Sequence, residues 1–155
     1  MYQTRFMKQA AAAAAVNLTQ QDGGPFGCVI VKDGAVVATG HNRVLADCDP
    51  TAHGEVVALR AAGAALGTHD LGGCELYTNA MPCPMCLAAI MWANIRVVYY
   101  GNTAADAAAI GFRDAAMYDF IEHHLQGDAL TLVQHDRGLT LPVFEAYKKA
   151  SHQLY

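Results

Sequence analysis

Two short segments, well separated in the chain, constrain the fold more than any other feature: His53-Gly54-Glu55 and Pro82-Cys83-Pro84-Met85-Cys86. Each stands where a helix should begin and each carries metal-binding side chains, so the fold has to bring two helix starts together. Two cysteines three apart at a helix start project from one face, close enough to share a metal. Free N–H groups and the positive end of the helix dipole favour the ionised thiol there, and thiolate is what zinc requires. Pro84 suits the first turn, where its missing N–H has no partner to lose. By itself a C-x-x-C is open to zinc, a redox dithiol or coincidence. The histidine segment disfavours the redox reading, because one imidazole and two thiolates supply three ligands of a zinc site. Structural zinc takes four protein ligands, whereas catalytic zinc keeps one position for water. Glu55 reaches such a water if the backbone at its helix start is not yet regular, and would then carry protons rather than ligate. A purely structural zinc would need a fourth ligand from Cys28, Cys48, Cys74 or His41, and it leaves Glu55 without a task.

The rest of the chain reads as one domain, 1–155, of the α/β class. A helix near 3–19 is alanine-rich and stops at Asp22-Gly23-Gly24-Pro25. Strands at 28–31 and 35–39 are joined by Asp33-Gly34, a hairpin signal. A helix at 51–66, a strand at 74–78, a helix at 82–93 and a strand at 95–100 follow, and this alternation predicts a βαβ crossover and a sheet flanked by helices. Helices near 103–109 and 114–124, a strand at Leu130–Gln134 and a helix at 143–151 complete the pattern. Hydrophobic residues make up 54% and charged residues 15%, which fits a packed core rather than disorder. Fourteen acidic against ten basic residues, net −4, do not invite a polyanion, and Lys148–Lys149 reads as a solvated helix face. Five cysteines, an odd number, fit a reducing compartment, so a soluble cytoplasmic protein is expected. The alanine run after Arg5 and Lys8 carries no convincing cleavage signal, and no segment reaches the ~20 apolar residues of a membrane span.

Other residues could hold a flat heterocycle. Asn42, at the end of the second hairpin strand, offers an amide donor and acceptor, and is equally plausible as a turn former. Phe26, Trp92 and Phe112 could form apolar walls or could be ordinary core. Cys28 and Cys74 lie in strand-like runs and read as small core residues.

H-x-E followed by P-C-x-x-C is the signature of the zinc nucleobase deaminases. With GGPFG (23–27), VIVKDGAVVATGHN (29–42), DPTAHGEV (49–56), PCPMC (82–86) and AAIGFRD (108–114), followed by Tyr118, the chain resembles the cytidine-deaminase-like superfamily, in the branch containing bacterial guanine deaminase. The resemblance implies a three-layer α/β/α sandwich with a central five-stranded mixed sheet, and a homodimer. It implies Zn2+ on His53, Cys83 and Cys86, Glu55 as proton shuttle, Asn42 on the base and Asp114 on the substrate amine. It implies that Tyr155, in a tail of about 140–155 that is a candidate for exchange between subunits, closes the pocket.

The activity so implied is hydrolytic deamination of guanine to xanthine and ammonia. Asp114 suits guanine, whose ring N–H and exocyclic amine are adjacent donors that one carboxylate accepts together. The alternatives are deamination of a nucleoside or another amino-heterocycle (guanosine, cytosine, another aminopurine), transfer-RNA adenosine deamination, and a non-enzymatic zinc module. Three positions depart from the family pattern: Gly54 where alanine is usual, Met81 where glutamate is usual, and Arg113 where an acidic residue is common. They leave the zinc chemistry alone and bear on substrate choice.

Overall fold

The apolar runs on either side of Asp33-Gly34 pair as an antiparallel hairpin, β1 (Gly27–Lys32) and β2 (Ala35–His41). Asp33 and Gly34 both take positive φ, 51° and 76°, the conformation that a two-residue Asp-Gly turn provides. β1 pairs on its other side, antiparallel, with β3 (Glu75–Ala80), and β3 runs parallel to β4 (Val97–Asn102). The parallel step passes through a helix, α4 (Pro84–Trp92), and is the crossover expected from the alternation between 74 and 100. The computed structural model describes residues 1–126 and 130–150.

Successive residues of β1 face opposite sides of the sheet. Cys28 and Ile30 pack with Ala58, Ala62, Leu76 and Ile90, while Val29 and Val31 pack with Phe6, Ala10 and Tyr77. Helix α1 (Thr4–Ala15) therefore covers one face, and α3 (Gly54–Leu66) with α4 covers the other. Burial on both faces is why β1 reads as an unbroken apolar run. α1 presents Phe6, Ala10, Ala13 and Ala14 inward, then tightens into one 3₁₀ turn, Val16–Leu18, with Asn17 buried. α3 lies flush on β2 because Gly40 has no side chain. A Cβ there would stand 2.4 Å from the Gly54 carbonyl oxygen and 2.7 Å from the Ala58 nitrogen. That close approach sets the end of β2 beside the start of α3, and hence Asn42 beside the histidine segment.

The sheet has four strands in the order β2-β1-β3-β4 among the described residues, not the five expected. Leu130–Gln134 is irregular, with Leu130, Leu132 and Val133 exposed to 57%, 60% and 70%. Its apolar and β-branched content supplies a local preference, but a strand needs a paired edge and no ladder forms there. α3 starts at Gly54 rather than 51, because the Asp49 carboxylate accepts from the Thr51 N–H and hydroxyl and holds a turn before it.

The short α2 (Val44–Asp47) has no counterpart in the sequence pattern. α5 (Ala104–Ala109) opens on a reciprocal Thr103–Asp106 capping box. α6 (Asp114–Glu122) and α7 (Arg137–Lys149) follow, α7 beginning before residue 143. Two compact units result, Met1–Tyr118 and Asp119–Tyr155. No helix among the described residues is long and apolar enough to cross a membrane.

Candidate metal centre and base-binding site

Two helix starts supply the metal side. His53 is the N-cap of α3 and Cys83 the N-cap of α4, both extended, and Pro84 opens α4 as expected of a proline in a first turn. Cys86, in that same first turn, is buried. The donor atoms of His53, Cys83 and Cys86 lie within 4.8 Å of one another, and Cys83 Sγ is 3.6 Å from His53 Nδ1.

The protons in this cluster are unevenly held. A hydrogen bond from Cys86, reinforced by His53, pushes the Cys83 thiol down to about 4. Cys86 is pushed far up by the same Cys83 contact and by burial. The hydrogen bond to Cys83 raises His53 against the opposing effect of burial. Two thiols this close oppose each other's ionisation, and a cation between the sulfurs relieves that opposition. The donor set, two sulfurs and an imidazole nitrogen, fits Zn2+.

None of the four candidates for a further ligand joins this cluster among the described residues. Cys28 is fully buried, its thiol pushed well up by burial and then by Glu55. His41 Nε2 is engaged by Asp22 Oδ2 at 3.0 Å. Cys48 is exposed and Cys74 packs in the core. Three protein ligands is the pattern of a zinc site with a position open to water.

Because His53 is still extended, Glu55 falls in the first turn of α3 and turns inward. It is 5% exposed and accepts a hydrogen bond from Thr78 Oγ1 at 3.1 Å, while Cys86 lies against it. Burial, the dominant influence, raises its carboxyl, moving it toward the pH range in which a group both takes and gives protons.

The side that would hold a base is built from several segments. Asn42 is buried; its backbone N–H donates to the Phe26 carbonyl at 2.9 Å and its Oδ1 accepts from the Val44 N–H at 3.1 Å. It is therefore a turn former, and its Nδ2 remains a donor. Phe26 and Phe112 meet edge to face with ring centroids 4.6 Å apart, so the two form one wall. Asp114, half-buried, is raised by burial and then by Cys83, with His53 acting in the opposite sense, which places it within electrostatic reach of the metal cluster. Tyr118 donates its hydroxyl to the Pro82 carbonyl and ties the middle of α6 to the segment that leads into α4.

Trp92 closes the far end of α4, about 9 Å of helical rise beyond Cys86. Tyr155 lies outside the described residues, as does the end of the tail.

Three residues absent from the sequence reading belong to the site's support. Thr78 fixes Glu55. The Asn79 amide accepts from the Gly27 N–H at 2.8 Å and donates to the Pro25 carbonyl at 3.0 Å, clamping the backbone on both sides of Phe26. Asn17 donates to the carbonyls of Gly24 and Asn42, each at 2.7 Å. A signal existed for two of them: Asn17 continues the buried stripe Phe6–Ala10–Ala13–Ala14, and Thr78 alternates with Leu76 on the buried face of β3. A polar side chain on an apolar stripe needs a partner.

Residues 1–102 match the family model described as the cytidine and deoxycytidylate deaminase zinc-binding region, and the chain belongs to that family. It is a zinc-dependent hydrolase of the deaminase class. The chain is 41% identical over 148 residues to the guanine deaminase of Bacillus subtilis (strain 168), spanning 96% of this chain and 95% of that one. A crystal structure of guanine deaminase from Bacillus subtilis superimposes with a TM-score of 0.91 at 39% identity, covering 100% of this chain and 99% of the other. The transfer-RNA-specific adenosine deaminase of Agrobacterium fabrum is 43% identical over 107 residues, 69% of this chain and 70% of that one.

Proposed function

We propose that this protein is a guanine deaminase, converting guanine and water to xanthine and ammonia. The observation that carries the reading is likeness over nearly the whole of both chains to a guanine deaminase, in sequence and in fold. Transfer-RNA adenosine deamination is the second reading; it rests on a relative matching 69% of the chain, and a net charge of −4 does not favour an anticodon arm as substrate.

His53, Cys83 and Cys86 would hold the zinc. Bound there, zinc supplies Lewis acidity that makes water a competent nucleophile near neutral pH. Glu55 takes a proton from the attacking water and delivers it to the ring nitrogen beside the amino-bearing carbon. A C–O bond forms at that carbon, a second proton passes to the amino group, the C–N bond breaks and ammonia leaves. Thr78 holds the Glu55 carboxyl in place for both transfers. Asn42 donates through Nδ2 to the edge of the base, and Asp114 accepts from the ring N–H and exocyclic amine together. Adenine and cytosine present a ring acceptor beside the amine, which that carboxylate would repel. Phe26 and Phe112 cover a face of the ring.

In this reading the working unit is a homodimer in the cytoplasm. Exposed Met91 on α4, and Val97 and Tyr100 on the edge strand β4, support an apolar contact between copies, and five free cysteines suit a reducing compartment. Ammonia release from a panel of purines, pyrimidines and their nucleosides tests the reading. Guanine is the expected substrate; turnover of adenosine in a folded anticodon stem with none on guanine would overturn it.

A further inference from the structure

We propose that Asn17 is a positioning residue for the reaction: its buried amide fixes Asn42, and so sets the orientation in which Asn42 meets the base. The inference rests on the reading of Asn42 as the base-holding residue. Asn17 sits where the inward stripe of α1 ends, 7% exposed. Its Nδ2 donates at 2.7 Å to the carbonyl of Asn42 and at 2.7 Å to the carbonyl of Gly24, so one amino group bridges two segments distant in sequence. Its Oδ1 is buried with no hydrogen-bond partner among the described residues. An apolar side chain would continue the stripe without stranding an acceptor, so the amide's advantage lies in its two donors.

What those donors hold is the frame of Asn42. The Asn42 N–H is bound to Phe26, its carbonyl to Asn17 and its Oδ1 to the Val44 N–H. The bond to Gly24 matters as much. A Cβ on the preceding Gly23 would fall 2.0 Å from Asn42 Oδ1 and 3.0 Å from the Asn42 carbonyl oxygen, so the strap tied down by Asn17 lies directly against the Asn42 amide. On the outer side the same strap is held by partly exposed pairs, Asp22 Oδ2 to His41 at 3.0 Å and to Arg43 at 3.2 Å. Exposed pairs of that kind are weak and screened by salt. Backbone bonds from the Leu45 and Ala46 N–H groups to the Asp22 carbonyl anchor the start of the strap, and the buried Asn17 amide is the side chain that joins it to the Asn42 carbonyl.

A double-mutant cycle on the zinc-loaded protein tests this, with guanine as substrate. Asn17→Ala should raise KM about 5- to 20-fold and change kcat less than about threefold, at unchanged zinc content. In an Asn42→Ala background the same substitution should raise KM less than about twofold, because the group it positions is gone. Asn17→Ser is read in the same way should the alanine variant fold poorly. Equal effects in both backgrounds, or a fall in kcat with KM unmoved, would overturn the proposal. So would failure of both Asn17 variants to fold while Asn42→Ala folds normally, since Asn17 would then serve the fold. Asn42→Ala with an unaltered KM would show instead that the base-holding reading itself is wrong, and the inference would fall with it.

Discussion

The two sides of the site are built differently. On the metal side, His53 and Glu55 come from one helix start and Cys83 and Cys86 from another, each pair within three residues of sequence. On the base side, Phe26, Asn42 and the pair Phe112 and Asp114 come from three distant places, and the first two are held by Asn17 and Asn79. Helix starts supply rigid, oriented N–H groups, so a metal centre can be written in a few residues. A pocket for a flat heterocycle has to surround it, and its walls draw on distant parts of the chain. The reaction is thus set locally, the substrate collectively.

Substitutions on the two sides should therefore fail in different ways. Cys83→Ala should have the largest effect: zinc content falls to near zero and turnover to background, measured by metal analysis alongside ammonia release. Retained stoichiometric zinc would mean that Cys83 is not a ligand. Glu55→Gln should keep the zinc and lower kcat by about 10²- to 10⁴-fold, the usual range for a general acid–base group. A near-normal rate in that variant removes the proton-shuttle role.

Asp114→Asn should sit lower, with kcat/KM for guanine falling by roughly 10- to 100-fold as a charged acceptor becomes half a donor. Zinc should be unaffected, and the loss should be smaller for a base that lacks the paired donors. Equal loss on all bases would place Asp114 with the metal side instead. The smallest effect should come from Thr78→Val. It removes one hydrogen bond to Glu55, worth about 0.5–1.5 kcal/mol, so kcat should drop by roughly two- to tenfold. No change in kcat would mean that Cys86 and the helix start alone hold the carboxylate.

The same contrast governs what could be read from the sequence. His53, Glu55, Cys83 and Cys86 were legible because they sit at fixed short spacings on helix starts, and the Asp33-Gly34 hairpin and the crossover through α4 because turn chemistry and alternation are local. Asn79 was not, since it acts through a backbone amide and carbonyl that only the folded chain brings near; Asn17 showed only as a polar residue on the buried stripe of α1, its partners hidden until the chain folds. Trp92, at the far end of α4 from Cys86, shows that apolar character alone does not tell which end of a helix a residue serves. The strand expected at Leu130–Gln134 fails similarly, for pairing is a property of two segments.

Hydrolysis here requires zinc held by three side chains with a fourth position free for water, and X-ray absorption at the zinc edge of the purified protein tests this most directly. Two sulfurs at about 2.3 Å and two lighter atoms at about 2.0 Å, with the outer-shell scattering of a single imidazole, are expected. A third sulfur, or a second imidazole, would mean that a protein side chain closes the site, and the hydrolytic reading would not stand.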